Sequence, residues 1–348
     1  MSTLEPSDPH KVTAIVPCYN EEAHIEELVQ ELLRQDLAQE ELELLFIDGM
    51  SEDRTPEILA SYAADHPSIR VLKNEDRYVP HALNKGIREA KGDLIMILGA
   101  HASYPDHYIR HLSERLIQSG ADCVGAPAVT DTLNKTTKSD TIKKVLAHPF
   151  GVGNSMFRIG IDEEREVDTV PFGCYLKQSL IDIGGYNEAL TRNQDIELNK
   201  RLVRAGGRIL LVPDIECKYY ARDTYKALAR NNFMNGLWIP LTLYITKDTS
   251  SLSIRHFIPL CFVLSLVLPL IAGIFMPVLL LLPPLILAFY FLVIFIVSVR
   301  DRSERTSLPR MLIAFFILHF SYGGGSLLGL FRFDKLASSG KHPLDQNG

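Results

Sequence analysis

Four short polar stretches hold the side chains best suited to chemistry in this 348-residue sequence: 17–22 (PCYNEE), 48–53 (DGMSED), 99–105 (GAHASYP) and 193–195 (NQD). Their carboxylates, carboxamides and imidazole can accept hydrogen bonds, take protons and ligate cations. No Gly-x-Gly-x-x-Gly follows the first apolar run, and no Gly-Lys-Ser/Thr occurs anywhere, which argues against dinucleotide and P-loop chemistry. Cys18, Cys123, Cys174, Cys217 and Cys261 are odd in number and never form Cys-x-x-Cys, so neither a disulfide framework nor a zinc site is suggested. A reducing compartment is the default expectation.

The elements that must position these loops follow from periodicity. VTAIV (12–16) reads as a strand, and 24–35 as a helix with Ile25, Leu28, Val29, Leu32 and Leu33 on one face. LELLFID (42–48) precedes a helix opened by Thr55 and Pro56. IRVLK (69–73) precedes HALNKGIREA, DLIMIL (93–98) precedes a helix over 105–119, and ADCVGA (121–126) follows. Such alternation predicts an α/β fold, an open and mostly parallel sheet with helices on both faces. Ligands then bind at the carboxyl ends of the strands, where the first three polar loops fall. After residue 126 the alternation lapses into APAVTDTLNKTTKSDTIKK, read as a mobile connection or lid. Order resumes with VDTVPFGCYL (167–176), a helix SLIDIGG and the helix-like run DIELNKRLVRAGG.

At 47% hydrophobic and 22% charged, with mean hydropathy +0.06, the chain is too apolar for an ordinary soluble enzyme and too charged for a polytopic transporter. The average hides a division. Up to Arg255 there are 29 Lys+Arg against 38 Asp+Glu, and beyond it 7 against 4. The acidic first part lacks a basic face, so nucleic acid is not an expected partner. Residues 257–299 are 43 in a row without Asp, Glu, Lys or Arg, about twice the roughly 20 a bilayer-spanning helix needs. Spans are predicted near 257–275 and 277–299, with Pro283 and Pro284 bending the second. A third uncharged run, 311–331, contains Gly323, Gly324 and Gly325, which mark either close helix packing or a break. The arginine-rich loop 300–310 is expected on the cytoplasmic side. MSTLEPSDPHK shows no secretory signal, which keeps the first 250 residues in the cytoplasm as an expectation.

VTAIVPCYNEEAHI, FIDGMSEDRT, NEDRYVPHALNKGIREAKGDL, GAHASYP, VPFGCYLKQSLIDIGGYNE and RNQDIELNKRLVRAGGRI, in this order, resemble family 2 inverting glycosyltransferases of the GT-A fold. The resemblance covers roughly residues 10 to 240 and is closest to the membrane-bound enzymes of succinoglycan-type exopolysaccharide assembly. It implies that Pro17, Tyr19, Asn20 and Glu21 form the first nucleotide-contacting loop and that Asp48 bonds the base, usually uracil. Read without it, 17–21 is a strand-to-helix turn with Asn20 or Glu21 helping to cap the helix. Asp53 matches the acid near the end of the second loop, or caps the helix before Thr55. Arg77 matches a basic position whose guanidinium fork could hold a diphosphate, or is a solvated surface residue; Asn84 and Gly86 match the turn that follows. Phe172, Gly173 and Cys174 match an acceptor-side segment, with Cys174 read as a small packed residue.

Asp195 falls on the catalytic base. Inversion needs one group to take the proton of the attacking acceptor hydroxyl. It could also cap its helix; Glu197 is read as structural. One departure stands out: where the family commonly has Asp-x-Asp, and this subgroup Asp-Ala-His-Ala, the chain has Gly99, Ala100 and His101. The resemblance implies Mn²⁺ or Mg²⁺ against the diphosphate. Three alternatives remain: His101 with phosphate and water holds the ion, another acid substitutes, or activity is impaired. Asp93, before the strand, is too far away to substitute.

The implied protein is a multi-pass enzyme of the cytoplasmic membrane with its catalytic domain facing the cytoplasm. It moves a sugar from a nucleotide-sugar donor, a UDP-sugar, to a lipid-linked saccharide of an exopolysaccharide or envelope glycan. Alternatives are transfer to polyprenyl phosphate, or a catalytically silent GT-A-like membrane module. The implied organisation is a disordered 1–10, a GT-A domain over 11–240, a juxtamembrane linker over 241–256, the membrane region over 257–331 and a flexible 332–348. Within 223–238, Tyr225 and Trp238 lie either at headgroup level on an interfacial helix or packed against protein.

Overall fold

The computed structural model describes residues 10–38 and 40–332, so the expected disordered start and flexible tail lie almost wholly outside the described residues. From the N-terminus the chain forms β1 (Val12–Cys18), α1 (Ile25–Leu33), β2 (Leu42–Asp48), α2 (Thr55–Asp65), β3 (Ile69–Lys73), α3 (Val79–Glu89), β4 (Leu94–Ile97), the short β5 (Ala102–Ser103), α4 (Tyr108–Ser119), β6 (Cys123–Gly125) and β7 (Ala128–Asp131). Then come α5 (Thr137–Leu146), the one-turn helices α6 (Pro149–Val152) and α7 (Met156–Ile159), β8 (Arg165–Glu166), β9 (Cys174–Leu176), α8 (Lys177–Asp182), α9 (Gln194–Arg204), β10 (Ile209–Leu211) and β11 (Cys217–Tyr220). Four helices close the described chain: α10 (Tyr225–Thr246), α11 (Ile258–Ala272), α12 (Leu282–Asp301) and α13 (Leu308–Gly329).

The described residues form two compact units, residues 10–131 with 155–220, and 132–154 with 221–332. The first is a mixed α/β layer. Its eight-stranded sheet runs β3-β2-β1-β4-β9-β6-β10-β8. The first four strands are parallel, as the alternation predicts. β9 departs from that expectation by running antiparallel to both β4 and β6. β1 and β2 are apolar at nearly every position because both faces are covered: Ala14, Val16, Leu44 and Phe46 join one core, Ile15, Leu45 and Ile47 the other. A second sheet, β5-β11-β7, carries the chain beyond the 99–101 loop.

Among the central strands a buried carboxylate ties the register. Glu43 accepts from the Thr13 hydroxyl (2.7 Å), the Lys91 amide (2.8 Å) and the Arg70 guanidinium (2.6 Å). Burial alone would raise its pKa; the Lys91, Arg70 and Thr13 bonds outweigh burial and lower it. A depressed carboxylate stabilises the fold at pH above its unfolded value, and that contribution disappears as pH falls through the folded one. Glu43→Gln should therefore lower stability at neutral pH by about 1.5–3 kcal/mol, a difference that shrinks in acid when thermal unfolding of the two proteins is followed from pH 7 to pH 3.

In the second unit, the segment expected to be mobile contributes α5, whose start is a capping box between Thr136 and Ser139; β7, just before it, is a strand of the first unit. The composition of that segment is polar because α5 buries only Ser139, Thr141, Ile142 and Val145. The boundary anticipated at residue 240 falls inside α10, and Trp238 is 1% exposed, which places its ring in the protein interior and not at a headgroup surface.

Among the described residues three stretches are long and apolar enough to cross a membrane: Ile254–Ala272, Pro277–Asp301 and Leu308–Gly329. Pro283 and Pro284 occupy the first turn of α12, where a missing N–H costs nothing, so they start that helix and do not bend it. The glycine triplet runs through an unbroken α13. A Cβ at Gly323 would lie 2.3 Å from the Pro259 carbonyl oxygen, and one at Gly325 2.0 Å from that of Phe233, whereas Gly324 faces nothing. Alternate glycines thus admit α11 and α10 to backbone contact, the packing alternative. His319, the polar ring within α13, meets the Tyr290 hydroxyl and the Phe150 carbonyl, each at 3.0 Å. Gly325→Ala should cost about 1–3 kcal/mol by overpacking, read as a lower melting temperature in detergent, while Gly324→Ala leaves it unchanged.

Candidate active site

The first two polar loops interlock. Asn20 has φ 54° and its carboxamide oxygen accepts from the Glu52 amide at 2.8 Å, while its own amide donates to Ser51 Oγ at 2.9 Å. Glu21 donates from its amide to Thr55 Oγ1 (2.8 Å), the Glu22 amide donates to Asp53 Oδ2 (3.0 Å), and the Arg54 amide donates to Glu22 Oε2 (3.1 Å). Asp53 also accepts from the Thr55 amide at 3.0 Å. Burial opposes ionisation of this carboxylate, and its bonds from Thr55 and Glu22 prevail and lower its pKa. Its two oxygens are thereby occupied in joining the loops and capping α2.

Asp48 ends β2 with 4% exposure and receives the Ser51 amide at 3.2–3.3 Å on both oxygens. Pro17 lies at the matching end of β1, and Tyr19 is 44% exposed beside it. Met50 and Arg77 share the left-handed conformation of Asn20, with φ 63° and 66°. Three non-glycine residues held there, at the carboxyl ends of neighbouring strands, mark a surface whose shape is imposed by its surroundings. The Arg77 guanidinium is exposed, 3.6 Å from Glu52. Asn84 lies apart from this group: its amide donates to the Tyr186 carbonyl (2.9 Å) and Glu188 (2.8 Å), and its oxygen accepts from the Tyr186 amide (2.7 Å). It joins α3 to the 184–188 turn that leads toward α9.

The third loop is built around an aromatic ring. Phe172 has φ 48°, and its ring fills the space beside Gly99: a Cβ there would lie 2.6 Å from Phe172 Cε1. The ring stands edge-on to Tyr104 (5.7 Å) and tilted to Tyr219 (6.5 Å). Tyr104, itself buried, accepts from the Gly99 amide at 2.8 Å. Gly173 is packed against Cys123 and Val170, and Cys174 is fully buried with its thiol pKa pushed up by burial. His101 Nε2 faces Glu21 Oε1 at 3.2 Å. Among the described residues no three His, Cys, Asp or Glu side chains converge on one point. With glycine at 99 and an aromatic ring in the place its side chain would need, this donor set does not fit a divalent cage built by the protein.

Asp195 stands in the first turn of α9, after Asn193 in the left-handed region (φ 60°). Among the described residues no cation lies within ion-pair distance of its carboxylate. Its surface is exposed. Desolvation raises its pKa, opposed by the amides of Ile196 and Asp195 and by the charge of Arg158. Glu197 is different: buried, it holds Arg201 through two bonds of 2.9 and 2.7 Å, which ties α9 to itself and, through Arg201, to the Ile183 carbonyl.

Arg158 and Tyr219 are not anticipated from the sequence; they lie in a one-turn helix and a four-residue strand. The Arg158 guanidinium sits over the rings of Phe157 (5.2 Å) and Tyr219 (5.6 Å). A single basic residue in a short apolar run between Gly153 and Gly160 was the available hint.

Residues 13–176 match the profile of glycosyl transferase family 2. The chain is 26% identical over 234 residues to a dolichyl N-acetyl-α-D-glucosaminyl phosphate 3-β-D-2,3-diacetamido-2,3-dideoxy-β-D-glucuronosyltransferase of Methanococcus voltae, covering 65% of this chain and 71% of that protein. It is 32% identical over 213 residues to the succinoglycan biosynthesis protein ExoA of Rhizobium meliloti, covering 60% of this chain and 62% of that one. In fold it resembles the mannosyltransferase PcManGT of Pyrobaculum calidifontis, solved with GDP-Man and Mn²⁺, at a TM-score of 0.56 and 19% identity over 95% of this chain and 89% of that chain. The ordered motifs, the mixed sheet and the profile agree: residues 13–176 match glycosyl transferase family 2, the fold is GT-A-like, and the similar proteins support glycosyltransferase activity.

Proposed function

We propose that the chain transfers a sugar, with inversion, from a uridine diphosphate donor to a lipid-linked saccharide. One observation carries the chemical part: Asp195 is the acid of the site whose residue is exposed and, among the described residues, has no cation within 4 Å, with its pKa raised by desolvation. In this reading the acceptor hydroxyl oxygen attacks the anomeric carbon, and its proton passes to Asp195. The bond from that carbon to the donor phosphate breaks, and the nucleoside diphosphate leaves with the electron pair. Asp48, at the floor of the interlocked loops, accepts from the uracil N–H. Pro17, Tyr19 and Asn20 line the nucleoside, and Arg77 reaches toward its phosphates. Phe172 presents the acceptor side.

The acceptor assignment draws on relatives whose names place them in dolichyl-linked glycan and succinoglycan synthesis. It draws also on the three apolar helical stretches. An enzyme confined to the bilayer meets a lipid-linked substrate in two dimensions. The basic loop after α12 favours a cytoplasmic face for that end of the span.

The test supplies membranes holding the full chain with labelled UDP-sugars and a lipid extract, with farnesyl phosphate as a separate acceptor, with and without Mn²⁺ or EDTA. Label in lipid-linked saccharide is the expected result. Label on farnesyl phosphate alone would move the acceptor to a polyprenyl phosphate, and no lipid-soluble label under any condition would favour a silent module. Transfer that survives EDTA would remove His101 from any role as a metal ligand.

A further inference from the structure

Arg158 is a charged side chain of the first unit that the proposed reaction leaves without a task. Its guanidinium carries five N–H donors, yet none has a hydrogen-bond partner among the described residues, and no carboxylate lies within ion-pair distance. It is held in place by stacking on Phe157 and Tyr219. An arginine so restrained, with its donors free, is arranged for something that is absent from the protein itself.

Its neighbours locate it. Tyr219 pairs in register with Ala102, next to His101, and its ring meets Phe172, which lies against Gly99. From the third loop, then, an aromatic series of Phe172 and Tyr219 leads to the guanidinium, and the charges of Arg158 and Asp195 act on each other. A lone cation partly stripped of water is costly unless an anion completes it. The surrounding protein lowers the pKa of the guanidinium by desolvation, and the charge of Asp195 acts the other way.

The geometry points to Arg158, held over the rings of Phe157 and Tyr219, as a binding site for the phosphate oxygens of a substrate at the Asp195 end of the site. Where the donor set does not build a divalent cage, a fixed guanidinium supplies positive charge opposite a departing or bound phosphate. The donor diphosphate and the phosphate of an acceptor lipid share this chemistry. Only the choice between them rests on the glycosyl-transfer reading; the anion site itself does not.

The experiment measures binding to the full chain in detergent micelles, with EDTA present, of inorganic pyrophosphate, UDP and farnesyl phosphate, with uridine as the phosphate-free control. Arg158→Gln should weaken pyrophosphate by about 10- to 100-fold and leave uridine unchanged; Arg158→Lys should recover part of the loss. Asp195→Asn, which removes the competing carboxylate, should tighten pyrophosphate several-fold. Weakening of UDP but not farnesyl phosphate assigns the site to the donor, and the converse assigns it to the lipid. Undiminished binding of all three phosphates in Arg158→Gln overturns the proposal, as does equal weakening of UDP and uridine, which would report a damaged fold. Failure of uridine to bind the unaltered protein would instead count against the uracil assignment, leaving pyrophosphate to decide this one.

Discussion

Asp195→Asn should lower turnover by about 10²- to 10⁴-fold, the range for removal of a positioned general base, with donor binding retained. The asparagine keeps the shape of the first turn of α9 and removes only the capacity to take a proton. Stability should not fall. A carboxylate whose folded pKa is raised costs stability at pH above that value, where it must ionise in a desolvated place, so its neutral replacement is level with the parent or slightly above it at neutral pH. The same shift sets the acid limb of the activity profile. The base works when ionised, so activity should fall as pH drops through a value raised above that of an ordinary aspartate. The charge of Arg158 on α7 acts on Asp195 and favours its ionised form. Initial rates from pH 4 to pH 8, together with thermal melts, check both statements. A variant keeping more than about a tenth of the activity would remove Asp195 from the role of base.

Gly99→Asp should reduce transfer, although it brings the loop closer to the family pattern. Its Cβ would fall 2.6 Å from Phe172 Cε1 and 3.2 Å from Cζ. The ring has little room to yield, because Tyr104 stands at its edge, Tyr219 lies beyond it, and its backbone is already in the left-handed region. Displacing it costs about 1–3 kcal/mol, and the new carboxylate lies against an aromatic ring without a paired cation. A loss of about 10- to 100-fold in rate is expected, with no rescue by Mn²⁺. Gly99→Asp combined with Phe172→Ala should recover much of the lost stability, since the obstruction goes with the ring. A gain in activity from the single substitution would show that glycine at 99 impairs the site and that Phe172 yields readily.

The missing carboxylate is thus legible in the sequence as an absence, and its cause is not. Gly99 and Phe172 are 73 positions apart, and nothing in their spacing indicates that one ring fills the other's space. The same holds for Asn84, whose place in a motif suggested donor contact, and whose amide is bonded to the turn at 184–188. Asp53 could be read as either ligand or cap; its two backbone partners belong to different loops. The stretch after residue 126 looked mobile because helix α5 buries one narrow face, and a narrow face leaves little apolar periodicity to detect.

Local chemistry determined much by itself. Alternating apolar runs specify parallel strands covered on both faces, the run of 43 uncharged residues specifies membrane-length helices, and the order of the polar loops carries the resemblance to glycosyl transferase family 2 that residues 13–176 match. These are properties of neighbouring residues, where periodicity and composition act directly on the chain. Only the tertiary structure decided that β9 runs antiparallel between β4 and β6, that alternate glycines of α13 face different helices, and that Arg158 stands on two rings within reach of the charge of Asp195. Each of those depends on which distant segments meet. Contact between them is settled by packing and desolvation over the whole unit, and residue order alone does not encode it in any short pattern.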